Sequence, residues 1–184
     1  MIKKLAKTNP ALPQTDGIIV HCAHTEIVPI DKLKPYPRNN KKHPEPQIEL
    51  LTKAIKAQGW RAPITVSNQT GYIVRGHARL EAAKRLGLKS VPVDYQNYAS
   101  EKAERADRIA DNRLAELGQT DLANLKEELL ALDTGSLDME LTGFDESAME
   151  QLMTQFHIPD DNKSIDEAAM SDTKNECPKC GFKW

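Results

Sequence analysis

The sequence predicts an α+β fold. Short β-branched runs alternate with helical apolar spacing over residues 26–98, whereas residues 99–157 carry helical spacing alone. A further observation is the junction Ile73-Val-Arg-Gly-His77, where a strand pattern passes through one glycine directly into a helix pattern. At 184 residues the chain has room for one compact domain with appendages.

Residues 1–25 show no sustained periodicity and contain Pro10 and Pro13, so they read as a flexible arm with Gly17-Ile-Ile-Val20 as a short strand within it. Order is expected from Glu26, with Glu26-Ile-Val-Pro-Ile30 as a strand and Pro35-Tyr-Pro-Arg-Asn-Asn40 as the loop after it. Ile48, Leu51 and Ile55 recur at helical spacing up to Gly59, a suitable C-terminal stop. Pro63-Ile-Thr-Val66 and Tyr72-Ile-Val74 flank the polar Ser67–Gly71 turn, as hairpin strands do. Leu80, Ala83 and Leu86 then share one helical face ending at Gly87, and Val91-Pro-Val93 reads as a strand placed at a sheet edge, because Pro92 cannot donate to a ladder.

Three helices follow. Ser100 caps the first, with Ala103, Ala106, Ile109 and Ala110 as its apolar positions; Thr120 or Asp121 caps the second, with Leu122, Leu125, Leu129 and Leu132; the third starts at Asp145 and carries Met149, Leu152, Met153 and Phe156. These make residues 26–98 an α/β core and 99–157 a helical extension completing the domain, followed by an acidic disordered linker over 158–176 and a short Cys-x-x-Cys tail over 177–184.

Composition excludes some classes. No apolar run is long enough to span a membrane, and the basic N-terminus lacks the apolar stretch of a signal peptide, so a cytoplasmic protein without membrane contact is expected. Three cysteines are too few and too local for a disulfide framework. The net charge of −2 conceals a division after Asp94: 16 basic against 7 acidic residues before it, net +9, and 9 against 20 after it, net −11. A basic part of that kind suits an anionic ligand such as a nucleotide or nucleic acid.

Arg75-Gly-His-Ala-Arg79 is the first candidate site. Glycine between strand and helix lets the backbone approach an anion, a helix N-terminus offers unpaired N–H groups, and Arg75, Arg79 and Arg38 supply charge. The alternative is a tight turn with solvated arginines. Asp111-Asn112 is the second, a carboxylate beside a carboxamide of the kind that holds Mg²⁺ at a nucleotide, against the reading of an ordinary charged helix end. The third is the tail, where Cys177-Pro-Lys-Cys180 forms half of a zinc knuckle. The missing ligands would come from His21, Cys22 and His24, from a second chain, or from sequence beyond Trp184; the alternative is a reduced tail without metal.

Several short segments occur in the order found in one family: Val28-Pro-Ile-Asp-Lys-Leu33, Pro35-Tyr-Pro-Arg-Asn39, the Ile48–Gly59 helix with Trp60, Pro63-Ile64, Ile73-Val-Arg-Gly-His-Ala-Arg-Leu80, Val91-Pro-Val93, Ile109-Ala-Asp-Asn-Arg-Leu-Ala-Glu116 and Leu141-Thr-Gly-Phe-Asp145. Through them the stretch from Ile27 to Leu152 resembles the N-terminal domain of the ParB family, in its phage and prophage branch, whose members occur alone or fused to DNA methyltransferases. The resemblance implies the ParB/sulfiredoxin fold, a small mixed sheet with flanking helices, and a nucleotide pocket between the glycine motif and the later acidic-Asn motif. Partition ParB proteins carry Gly-Glu-Arg-Arg, which grips CTP, and a Glu-Asn pair for magnesium. Here Gly76 and Arg79 match, His77 and Ala78 replace the Glu and one Arg, and Asp111-Asn112 match the pair conservatively. Sulfiredoxin's nucleophilic cysteine falls where His77 stands, which excludes peroxiredoxin repair.

The expected function is a nucleotide-binding ParB-like module in a DNA transaction, beside a DNA methyltransferase or in phage DNA processing or partition, with CTP favoured, ATP open, and Mg²⁺. His77 is the candidate for a catalytic role, as proton donor or phosphoryl acceptor, or a plain hydrogen-bond donor to phosphate. The alternatives are a phosphotransferase or nuclease using the same pocket, CTPase-like turnover included, or a non-catalytic interaction adaptor. The three helices lie where partition ParB proteins place a basic helix-turn-helix, and their net charge opposes that role, so DNA contact is expected to be weak, salt-dependent and from the basic half. A homodimer is left open.

Overall fold

A computed structural model of the chain describes residues 12–155. Its centre is a four-stranded mixed sheet in the order β3-β6-β4-β5, built from β3 (Glu26–Pro29), β4 (Ile64–Ser67), β5 (Ile73–Arg75) and β6 (Ser90–Gln96). β6 runs antiparallel to β3 and parallel to β4, and β4 and β5 form the expected hairpin, with a register shift between Thr65 and Val66. Ile64, Ile73, Val91 and Val93 are fully buried on this sheet, and Leu80, Ala82 and Ala83 close the core from the helical side.

β6 is an interior strand, contrary to the edge position expected from Pro92. Pro92 lies opposite Ile27 of β3, while the β4 ladder starts one residue later, with Ile64 opposite Val93. The missing N–H thus falls at the start of the β4 pairing rather than within it.

α1 (Glu45–Gln58) begins with a proline in its first turn and ends at Gly59, whose φ is 75°. A Cβ at Gly59 would stand 2.4 Å from the carbonyl oxygen of Ile19, the oxygen that accepts a hydrogen bond from the Trp60 N–H at 2.9 Å. Glycine is needed there for close approach as well as for φ. The other side of that contact belongs to a small hairpin, β1 (Gln14–Thr15) and β2 (Ile18–Ile19), turned by Asp16 and Gly17 at positive φ as two-residue hairpins require. The segment read as a flexible arm is therefore docked from residue 14 onwards. Val20 is buried and bridges Trp60, the His21 N–H donates to the Trp60 carbonyl at 2.9 Å, and the Thr15 hydroxyl donates to the Ser90 carbonyl at 2.7 Å. Residues 1–11 lie outside the described residues.

α2 (His77–Arg85) packs against α1, and α3 (Glu101–Leu117) packs against β5. Ser100 caps α3, accepting from the Ala103 N–H at 3.2 Å. Its buried side, however, is not the alanine and isoleucine face expected from spacing: Glu104 and Arg108 are buried, while Ile109 is 57% exposed. α4 (Leu122–Leu132) is capped by Asp121 and α5 (Glu146–Gln155) by Asp145. These two helices bury Leu129 and Leu152 apart from the main core, and Lys53 of α1 forms an ion pair with Glu140 of the intervening 3-10 turn. No helix among the described residues is long and apolar enough to cross a membrane. Phe156, the acidic linker and the Cys177–Cys180 tail lie outside the described residues.

Candidate functional site

β5 ends at Arg75 and α2 starts at His77, so one residue must reverse the chain. Gly76 does so at φ 95° and ψ 25°, and a Cβ there would meet Ile64 Cα and an Arg79 guanidinium nitrogen, both at 3.3 Å. No side chain caps α2, and its first helical bond is Leu80 N–H to Gly76 carbonyl at 3.1 Å. The N–H groups of His77, Ala78 and Arg79 therefore have no partner within the helix, and they concentrate the positive end of its dipole.

That helix start opens into a cleft of about 360 Å³. Arg75, Gly76, His77, Ala78 and Arg79 form one wall, and Asp111 and Asn112 of α3 approach from another. The two motifs read separately in the sequence thus share one cavity. Four further polar lining residues were not foreseen: Asn39, Lys41 and His43 from the loop before α1, and Gln47 from α1 itself. The basic run Lys41-Lys42-His43, directly ahead of a helix, was the available signal.

Arg75 is tied down by acids from α3. Its Nη2 lies 2.7 Å from both Asp107 oxygens, and its Nε is 3.0 Å from Asp111 Oδ1 without the alignment of a hydrogen bond. The Tyr98 hydroxyl also donates to Asp107 at 2.9 Å; burial first, then that bond and the Asp107 charge, push its pKa up to about 12. Arg75 consequently braces β5 against α3. Arg79 is less committed: its Nη1 donates to the Pro63 carbonyl at 3.3 Å, and burial pulls its guanidinium below the ordinary value. A guanidinium stays cationic through such a shift, so Arg79 offers the cleft a partly desolvated positive charge.

His77 is neutral at pH 7. Burial, then the charges of Arg108 and His43, lower its pKa to about 4 against the opposing pull of Glu81. Its Nε2 accepts the Tyr36 backbone N–H at 3.2 Å, which leaves the proton on Nδ1. A neutral imidazole with Nε2 engaged can donate a hydrogen bond but holds no acidic proton for transfer at neutral pH.

Behind His77 lies a polar assembly that spacing did not reveal. Arg108 and Glu104 pair at 2.6 Å with side chains only 4% and 2% exposed. Thr70 donates to Glu104 at 2.9 Å, and the Arg108 guanidinium carbon sits 3.6 Å above the Tyr36 ring, which meets Tyr72 edge-on at 5.7 Å. The Asn112 amide donates to the Arg108 carbonyl at 3.2 Å.

Arg38 does not reach the cleft; it lines a separate depression with Tyr36 and Arg105. Its loop turns it outward while its neighbour Asn39 faces in. His21, Cys22 and His24 likewise join no group of three metal-ligating side chains among the described residues. His24 Nδ1 lies 2.9 Å from its own neighbour's carbonyl at Cys22, and burial raises the Cys22 thiol above its usual pKa, against thiolate formation. Cys177 and Cys180 lie outside the described residues. Asp111 and Asn112 fit magnesium in donor type: with the amide nitrogen of Asn112 bound back to its helix and Asp111 Oδ1 beside Arg75, the Asn112 oxygen and Asp111 Oδ2 are the hard donors of this pair left to the cleft.

A family model described as the ParB N-terminal domain matches residues 18–113. The chain is 38% identical over 65 residues to the ParB-like nuclease domain-containing protein YnaK of Escherichia coli (strain K12), covering 35% of this chain and 74% of that one. Among solved structures it is similar to the C-terminally truncated chromosome-partitioning protein ParB from Caulobacter crescentus complexed with CTP-gamma-S, at 24% identity and a TM-score of 0.58 over 73% of this chain and 79% of that one. Sulfiredoxin from Arabidopsis thaliana overlaps 45% of this chain and 97% of its own, at 23% identity and a TM-score of 0.38.

Proposed function

The chain belongs to the ParB N-terminal domain family, and from that premise we propose that it binds a nucleoside triphosphate, CTP in preference to ATP, with Mg²⁺ in the cleft at the start of α2. The observation that carries this reading is the convergence of an uncapped helix N-terminus, a desolvated Arg79 and the Asp111-Asn112 pair on one cavity. The structurally similar ParB, in complex with CTP-gamma-S, supports the choice of ligand class.

Each residue then has a role. The N–H groups of His77, Ala78 and Arg79 take phosphate oxygens, with the Arg79 guanidinium and Lys41 adding charge. His77 donates from Nδ1 as a binding residue. Arg75, held by Asp107 and Asp111, keeps the walls at their spacing. Magnesium, held by Asp111 and Asn112, would neutralise charge on the phosphates. The module serves a DNA transaction such as modification, partition or phage DNA processing, with a DNA methyltransferase as partner. A second reading, nuclease or phosphoryl-transfer activity at the same cleft, is favoured only by the nuclease designation of the Escherichia coli relative.

Calorimetric titration with CTP, ATP, GTP and ADP, each with and without Mg²⁺, tests the proposal. Magnesium-dependent CTP binding is expected, weakened about tenfold or more by Arg79→Ala, the scale of a lost charge-assisted contact. Absence of binding by every nucleotide would dismiss the cleft as a nucleotide site, and turnover of bound nucleotide or cleavage of DNA would favour the second reading.

A further inference from the structure

The loop between β3 and α1 has two faces. Asn39 and Lys41 line the cleft, whereas Tyr36, Arg38 and Asn40 line a depression of about 120 Å³ on the other side, completed by Arg105, Arg108 and Ile109 of α3. The depression is poor in acids and rich in guanidinium groups. Arg38 and Arg105 are exposed, and neither makes an ion pair among the described residues. Arg108 is almost fully buried, with its charge met by Glu104 but its Nε without a hydrogen-bond partner. Beside these charges stand the half-buried Tyr36 ring, one face of which carries the Arg108 guanidinium, and Ile109, which is 57% exposed.

The basic character continues along α3. Lys102, Arg105, Ile109 and Arg113 fall within a narrow stripe of the helix surface at 100° per residue, so an extended anion could follow the helix from the depression. Arg113 is partly answered by Glu116 at 3.3 Å, which leaves Arg38 and Arg105 as the strongest points.

We propose that this depression binds the sugar-phosphate backbone of single-stranded nucleic acid, with Arg38 and Arg105 on phosphate oxygens and Tyr36 and Ile109 against a sugar or base face. Charge alone would suit an acidic peptide equally. A partly exposed aromatic ring and an exposed Ile109 lining one depression with two unpaired arginines suit the mixed phosphate and apolar groups of a single strand. The site is separate from the nucleotide cleft, sharing none of its lining residues.

Fluorescence anisotropy of the full chain with a labelled single-stranded oligonucleotide, at several salt concentrations, tests it. The Arg38→Ala/Arg105→Ala variant should bind about tenfold more weakly at low salt, and the slope of log affinity against log salt should fall by about 1.4, the loss of two phosphate contacts. A variant with the same charge loss elsewhere, Lys32→Ala/Arg61→Ala, should bind as the parent does. Nucleotide titration of the Arg38→Ala/Arg105→Ala protein should be unchanged, which separates this site from the cleft. Equal loss in both double variants, or unchanged binding in Arg38→Ala/Arg105→Ala, would overturn the proposal. So would displacement of the oligonucleotide at physiological salt by a peptide copying the acidic segment 160–176, since the site would then belong to an acidic peptide.

Discussion

At the scale of single residues, His77 shows how a neighbourhood decides a role. Its side chain lies at a helix start, where an anion would raise its pKa, yet burial and Arg108 dominate and hold it near 4. The consequence for stability has a definite sign. In the unfolded chain the ring takes a proton near pH 6.5, while in the folded protein it resists until about pH 4. Protons therefore favour the unfolded state between these values: the contribution of neutral His77 is complete above pH 6.5 and is lost as pH falls towards 4. Urea unfolding across this window should show the parent losing stability faster than His77→Gln on acidification; parallel curves would contradict the assignment. The same residue marks a limit of sequence reading. Glycine next to histidine at a strand-helix junction was visible, but the Tyr36 N–H that fixes the tautomer comes from 41 residues away in the chain, and no local pattern encodes it.

At the scale of elements, α3 departs most from its sequence pattern. Its spacing suggested an apolar buried face through Ala103, Ala106 and Ile109, whereas the structure turns Glu104 and Arg108 inward and pins the helix to the β4–β5 turn through Thr70. Alanines and one isoleucine bury little area, so a buried ion pair with its arginine stacked on Tyr36 can set the helix rotation instead. Glu104→Ala should cost about 3–5 kcal/mol, because it leaves Arg108 charged and unpaired in the interior. Chemical denaturation checks this value; a loss below about 1 kcal/mol would mean that the site admits water. By contrast α1 and α2 follow their apolar spacing and α5 buries Leu152, whereas α4 buries only Leu129 of its four expected leucines and leaves Leu122 and Leu132 39% and 44% exposed. Of the β1–β2 hairpin only β2 was read, as the short strand Gly17–Val20; β1 was missed because a two-residue strand carries no periodicity, although Asp16-Gly17 is a hairpin dipeptide that could have announced the pairing.

At the scale of the whole molecule, the two oppositely charged halves of the chain meet at the cleft. Arg75 from the basic half faces Asp107 and Asp111 from the acidic half, so the wall that looked most positive in the sequence is partly neutralised in the fold. The remaining charge is carried by Arg79 and Lys41, and Arg38 is spent on a different surface. If the cleft holds CTP with magnesium, nucleotide at about 100 times its Kd should add about 2.7 kcal/mol to stability. For a domain of this size that raises Tm by about 5–10 °C. Thermal melts with and without CTP should show the full shift in the parent and about half of it or less in Arg79→Ala, whose tenfold weaker binding leaves the same nucleotide concentration at about ten times its Kd.

The stretch from Tyr36 to Lys41 has one more implication. It is a single length of backbone whose alternate side chains face two cavities, Asn39 and Lys41 one way and Arg38 and Asn40 the other. Two ligands seated on opposite sides of such a partition exchange free energy only where one of them moves it. If an occupant of the first cavity moves the partition and so changes affinity at the second by some factor, the second occupant must change affinity at the first by that same factor. Reciprocity of this kind needs no hinge between domains, only a wall shared by two rooms.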